Sequence, residues 1–84
     1  MLLDSLSLTR SQLRALALLT ERGSLTSREL ADLMGLTRSY AGSLLTGIER
    51  ADLADGELIG GGEIRFRPND AANGLRELAQ TVAV

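Results

Sequence analysis

The segment from Thr26 to Ile48, TSRELADLMGLTRSYAGSLLTGI, constrains the fold more than any other part of the chain. Ala31 and Gly35 lie four positions apart in it. Apolar residues recur around this pair at helical spacing, at Leu30, Met34, Leu36, Ala41 and Leu44. An alanine lets two helices approach closely, and a glycine can adopt the left-handed conformation of a tight turn. The segment therefore predicts two short helices that cross at a turn.

Capping signals mark the ends of the first two helices. A capping box is a threonine followed three residues later by glutamine or glutamate, and it occurs twice, as Thr9–Gln12 and Thr26–Glu29. Glycines that can end a helix follow each box, at Gly23 and Gly35. We predict a first helix over about Ser11–Arg22 and a second from Thr26 to Gly35.

A third helix is predicted from about Arg38 to Ala51, with Thr37 as its cap. One of its faces is apolar and consists of Ala41, Leu44, Leu45 and Ile48. The opposite face is small and polar and consists of Ser39, Ser43, Thr46, Gly47 and Arg50, with Gly42 between the two faces. The third helix therefore has one side suited to a core and one side suited to a surface.

Two short strands and a last helix complete the chain. The runs Glu57–Ile59 and Glu63–Arg67 are separated by three glycines, which predicts a β-hairpin. Pro68 ends the second strand, and Asn69 or Asp70 caps a helix that extends to about Val82. The predicted fold is mainly α with a small β-hairpin, in the order helix-helix-helix-hairpin-helix, as one domain over residues 1–84.

The composition excludes several classes of function. The chain has no cysteine and no histidine, so disulfides, Cys/His zinc sites and a Ser-His-Asp triad cannot form. We expect no enzyme activity, no cofactor and no metal. The N-terminus has no basic region typical of a signal peptide, and no run of about 18 apolar residues is present. We therefore expect no membrane association and a cytoplasmic location.

In this order and spacing the elements resemble the winged helix-turn-helix superfamily, and within it the MarR-like and ArsR-like bacterial and archaeal regulators. The resemblance is carried by LRALALLTERGSLTSRELADLMGLTRSYAGSLLTGIERADL, by the hairpin, and by RFRPNDAANGLREL. It covers about residues 9–80. It implies a sequence-specific transcriptional regulator that binds double-stranded DNA, with the third helix in the major groove and the hairpin 57–67 as a wing. The chain departs from MarR-like proteins in two respects: it is shorter, and its wing tip consists of three glycines.

The resemblance assigns base contacts to the N-terminal half of the third helix, here Thr37, Arg38, Ser39, Tyr40, Gly42, Ser43 and Thr46. Arg38 is the best candidate for a forked contact to guanine, and the alternative is a surface arginine paired with an acid. Tyr40 could bond a phosphate or be a partly buried structural residue. About three to five phosphate contacts per protomer are expected, from Arg28, Arg50, Arg65 and Arg67 and from helix N-termini. Gly42 and Gly47 each cost a helix about 1 kcal/mol, which close approach to a DNA groove or close helix packing would explain.

Three hypotheses about partners remain at this point, and one of them is RNA binding or a role in a mobile-element or viral system, which no residue requires. The first is a DNA-binding homodimer, because apolar residues occur outside the core stripes at Leu2, Leu3, Leu6, Leu8, Ala15, Leu18, Ala72, Ala79 and Ala83. The alternative is a winged-helix module that binds another protein and no DNA. The net charge of −2 and acids close to the expected DNA face support this alternative. A continuous positive band across Arg28, Arg38, Arg65 and Arg67 would favour DNA, whereas interruption by Asp32 and Glu63 would favour a protein.

Overall fold

The computed structural model describes residues 8–75. They form four helices and three strands: α1 (Arg10–Arg22), β1 (Leu25–Thr26), α2 (Ser27–Met34), α3 (Arg38–Arg50), β2 (Ala54–Gly60), β3 (Glu63–Pro68) and α4 (Asp70–Gly74). The predicted winged helix-turn-helix fold is confirmed, and Asn69 is the cap of α4. The predicted continuation of the last helix beyond residue 75 lies outside the described residues. Among the described residues, no helix combines the length and the apolar character needed to cross a membrane.

Both predicted capping boxes are present with their reciprocal hydrogen bonds. Thr9 Oγ1 accepts from the Gln12 amide at 3.1 Å, and the Thr9 amide donates to Gln12 Oε1 at 2.8 Å. Thr26 and Glu29 repeat this arrangement at 3.2 and 2.9 Å. Two amides at the start of each helix, which have no partner inside the helix, are thereby satisfied. The ends of α1 and α2 at glycine with positive φ are also as predicted.

The predicted apolar face of α3 is the centre of the core. Its members Ala41, Leu44, Leu45 and Ile48 are all buried. They pack with the interior sides of α1 and α2, from which Leu16, Leu19 and Leu30 are fully buried. Because this face is anchored to both helices, the opposite face of α3 is held outward.

The apolar residues outside the predicted stripes are largely core residues, which corrects one argument for a dimer. Ala15 and Ala72 are both 0% exposed, and Leu8 and Leu18 are partly buried against the core. The reason is that α1 packs against α3, β3 and α4, so more than one of its sides is covered. The other residues in that argument, Leu2, Leu3, Leu6, Ala79 and Ala83, lie outside the described residues. Ala71, the second residue of α4, is exposed.

The three strands form an antiparallel sheet in the order β1-β3-β2. The sequence did not predict β1, in which Leu25 pairs with Phe66. The first hairpin strand also begins at Ala54, three residues before the predicted start. All three glycines of the wing tip, Gly60, Gly61 and Gly62, have positive φ, a backbone conformation that L-residues adopt only at a cost.

Gly56 explains how β2 joins α3. Its amide donates to Glu49 Oε2 at 3.1 Å, which connects the strand to the last turn of α3. A Cβ at this position would lie 2.9 Å from both Glu49 Oε2 and Ile64 Cγ2. A glycine inside a strand often marks such close approach, and here it fixes the base of the wing against α3.

Candidate nucleic-acid interface

The outward face of α3 is accessible along the helix. Arg38, Ser39, Tyr40, Ser43 and Arg50 are exposed, and the exposed fraction of Tyr40 is 46%. Thr37 caps the helix and accepts a hydrogen bond from the Tyr40 amide at 3.1 Å. The remaining amides of the first turn give this end of the helix a partial positive charge, which favours anions.

A groove separates this face of α3 from the wing. It has a volume of about 540 Å³ and is lined by Ser27, Arg38, Ser39, Gly42, Thr46, Gly62, Glu63, Ile64 and Phe66. Four of the residues predicted to contact DNA bases therefore lie together with the wing tip. Ser27 and Ile64 were not among the predicted site residues, because only the folded chain shows that the start of α2 and the wing border the same groove.

Arg38 forms an ion pair across the groove. Its Nη2 lies 3.3 Å from Glu63 Oε1, with the Arg38 side chain 54% exposed and the Glu63 side chain 29% exposed. Arg38 is therefore a surface arginine paired with an acid, which was the alternative to a guanine contact. The pair uses one nitrogen of the guanidinium, and the other N–H groups of a planar five-donor fork have no protein partner within residues 8–75.

Arg65 points toward α2, although the sequence placed it along a DNA backbone. Its Nη1 donates to Ser24 Oγ and Glu29 Oε1, both at 3.1 Å, and its side chain is 28% exposed. The same carboxylate caps α2, so the Thr26 backbone amide first, and then the Arg65 guanidinium, lower the pKa of Glu29. Arg65 thus joins the wing to the start of α2.

Ion pairs with acids interrupt the row of arginines whose continuity would favour DNA. Arg67 lies 3.9 Å from the Glu57 carboxylate within the wing, and both side chains are largely exposed. Of the arginines predicted to contact DNA, Arg28 and Arg50 are exposed and have no ion pair with any described residue. Asp32 is likewise exposed and unpaired in this part of the chain. By the criterion set from the sequence, the pairing of Arg38 with Glu63 favours a protein partner.

The two glycines inside α3 meet other helices. A Cβ at Gly47 would overlap the side-chain amide of Gln12 on α1, and a Cβ at Gly42 would lie 3.2 Å from Ser27 Oγ on α2. Close helix packing therefore explains Gly47, which the sequence had placed on the outer face. Gly42 both packs closely against α2 and lines the groove, so either explanation applies to it.

Comparisons with known proteins give one match. The model of the MarR family matches residues 6–62, which is more than half of the chain. No curated protein and no solved structure matches the sequence significantly. The matched residues include α1, α2, α3 and the wing up to its tip, whereas β3, which lines the groove with Glu63, Ile64 and Phe66, follows the match. The chain therefore belongs to the MarR family, whose members are winged-helix transcription regulators rather than enzymes.

Proposed function

We propose that this protein binds double-stranded DNA sequence-specifically and regulates transcription, with α3 in the major groove and the hairpin 57–67 as the wing. The observation that carries the proposal is the division of α3 into a fully buried apolar face and an exposed polar face. A helix fixed in this way can enter a major groove, which is about 12 Å wide. Membership of the MarR family supports this use, and a cytoplasmic location would accompany it.

Within this proposal the residues have different roles. Arg38 donates to a guanine, and Ser39, Tyr40, Ser43 and Thr46 provide shorter polar contacts along α3. Thr37 orients the first turn as its cap, and Gly42 lets the DNA approach the helix closely. Two observations support these roles. Arg38, Ser39, Tyr40 and Ser43 are exposed, and the groove is lined by Arg38, Ser39, Gly42 and Thr46.

The expected phosphate contacts are fewer than the sequence suggested. Arg65 and Arg67 would have to leave carboxylates before they could bind phosphate, whereas Arg28 and Arg50 have no such partner in the described chain. Two phosphate contacts correspond to a slope of about −2 in log K against log salt per protomer. A slope near −4.5 per protomer would instead indicate about five contacts and would show that the ion pairs open on DNA.

We also propose that the protein acts as a homodimer, as is typical of its family. Two-fold symmetry would place two copies of α3 about one DNA turn apart, so the target would contain two inverted half-sites. Sedimentation equilibrium measures the dimer directly, and DNase footprinting measures the spacing. A monomer at micromolar concentration with a single half-site footprint would contradict this part of the proposal.

The experiment that tests DNA binding is selection of bound duplexes from a random pool, followed by fluorescence anisotropy. Arg38→Ala should weaken binding to the selected duplex by about 5- to 150-fold, the value of one forked base contact. Arg14→Ala is the matched control, because Arg14 is an exposed arginine on α1 and lies opposite the α3-facing Gln12. Failure to select any duplex at low salt with folded protein, or equal effects of the two variants, would refute the proposal.

A second candidate function is docking to another protein without DNA. The observation that favours it is the pairing of three expected DNA contacts, Arg38, Arg65 and Arg67, with acids. In addition, the wing exposes Leu58, Ile59 and Ile64, with Leu58 71% exposed. If the protein docks to another protein, the selection recovers no DNA duplex. Leu58→Ser should then abolish cross-linking to the partner protein, whereas Arg38→Ala should retain it. Retention of the partner by Leu58→Ser would exclude the wing as the docking surface.

A further inference from the structure

Glu63 is an acid at the place where DNA is proposed to bind. It is the first residue of β3 and borders the groove between the wing and α3. A carboxylate at this place repels phosphate and weakens binding to any DNA sequence. Glu57 on the same hairpin pairs within the wing, whereas Glu63 reaches across the groove to α3. This difference suggests that Glu63 acts on Arg38.

The geometry leaves Arg38 able to contact Glu63 and a base at the same time. The ion pair uses Nη2, and a guanidinium has five N–H donors fixed in one plane. A forked contact to guanine needs two of these donors. The Arg38 side chain is 54% exposed, and its remaining donors have no hydrogen-bond partner among residues 8–75. Glu63 pairs with Gly60 in the antiparallel β2–β3 sheet, so the backbone that carries its carboxylate is held in place.

We propose that Glu63 is a positioning residue that increases sequence specificity by holding the Arg38 guanidinium toward the base edges. An unpaired arginine side chain can turn to a nearby phosphate, and that contact is the same on every sequence. The ion pair with Glu63 keeps the Arg38 guanidinium away from phosphates and leaves it oriented to bind guanine. The negative charge of Glu63 also weakens the non-specific complex. The inference rests on the proposed function.

The test compares two probes, the duplex recovered from the random pool and a scrambled duplex of the same composition. Glu63→Ala should tighten binding to the scrambled duplex more than binding to the selected one. The preference for the selected duplex should fall by about two- to fivefold, the range of one exposed ion pair. The salt slope on the scrambled duplex should steepen by about 0.9, because the freed Arg38 gains a phosphate contact.

Two further variants separate positioning from a general charge effect. Glu57→Ala is the matched control, because it removes the same charge from the same hairpin without touching Arg38. It should change both affinities by the same factor and leave the preference unchanged. In an Arg38→Ala background, Glu63→Ala should no longer alter the preference, because the side chain that it positions is absent.

The outcomes distinguish the inference from the proposed function. If the wild-type protein binds neither duplex, both are overturned. If it prefers the selected duplex, but Glu63→Ala leaves the preference and the salt slope unchanged, the positioning role alone is overturned. The same conclusion follows if Glu57→Ala reproduces the loss of preference, or if that loss persists without Arg38; a steeper salt slope of Glu57→Ala alone is expected from the freed Arg67 and does not count. Circular dichroism of each variant shows that it is folded before binding is compared.

Discussion

Replacing Gly47 with alanine tests whether packing or partner binding explains a glycine inside α3. Glycine in a helix interior is about 1 kcal/mol less favourable than alanine, so the substitution should stabilise the helix unless the new methyl group meets an obstacle. The structure supplies one, because the methyl group would overlap the side-chain amide of Gln12. Gln12 can move, since the obstacle is the far end of a flexible side chain.

The movement of Gln12 has a calculable cost. Its Oε1 accepts the Thr9 amide at 2.8 Å, which is one half of the capping box of α1. Loss of one hydrogen bond of this kind costs about 0.5–1.5 kcal/mol. Gly47→Ala should therefore change the free energy of unfolding by only about −0.5 to +0.5 kcal/mol, the gain in helix propensity less the lost hydrogen bond.

A double-mutant cycle with Gln12→Ala isolates this coupling. Without the Gln12 amide, Gly47→Ala should stabilise the protein by the full 1 kcal/mol or so, which is roughly 4–8 °C in Tm for a domain of this size. Urea unfolding of the four proteins measures the cycle. Equal effects of Gly47→Ala in both backgrounds would refute the packing explanation. DNA affinity serves as the second readout, because a glycine needed for groove approach would lose affinity when it becomes alanine.

Substitutions at three further positions test the fold. Gly56→Ala should destabilise the protein by about 1–3 kcal/mol, because the methyl group would press on the Glu49 carboxylate and on β3; unchanged urea unfolding would contradict this packing. Asp52 has a φ of 64°, so glycine there should be more stable than aspartate by up to about 1 kcal/mol and alanine less stable, and the ranking of thermal midpoints checks this order. The Thr26 amide and then Arg65 lower the pKa of Glu29 below its ordinary value of 4.5. Its contribution to stability is therefore present above pH 4.5 and is lost as the pH falls through the lower folded pKa. Glu29→Gln keeps a capping side chain, so it should flatten that acid loss in urea titrations, and an unchanged pH profile would argue against the assignment.

The features that the sequence predicted correctly are set by neighbours along the chain. A capping box needs residues three apart, such as Thr9 and Gln12, and a helix stop needs one glycine, such as Gly35. The buried face of α3 also follows from the local repeat, because residues at helical spacing share a side. These signals are strong because their physical cause acts within one helical turn.

The features that the sequence missed depend on partners far along the chain. β1 has only two residues, and it exists because Leu25 meets Phe66, which no local pattern indicates. Ala15 is covered because three elements surround α1, so the apolar face is wider than the periodicity suggested. The pairing of Arg38 with Glu63 spans 25 positions, and the sequence could give it only as an alternative.

The ion pairs also affect how much of the DNA-binding free energy should come from phosphate contacts and how much from base contacts. Arg38, Arg65 and Arg67 each have a carboxylate partner, so the positive charge available to any DNA is small. Since non-specific affinity comes from phosphate contacts, a net charge of −2 with paired arginines predicts weak non-specific binding. The free energy of a specific complex would then have to come from base contacts along α3, and a dimer would supply these contacts twice. It follows that raising the salt concentration should weaken the selected complex less than it would for a basic DNA-binding domain, while base substitutions in the target should weaken it strongly.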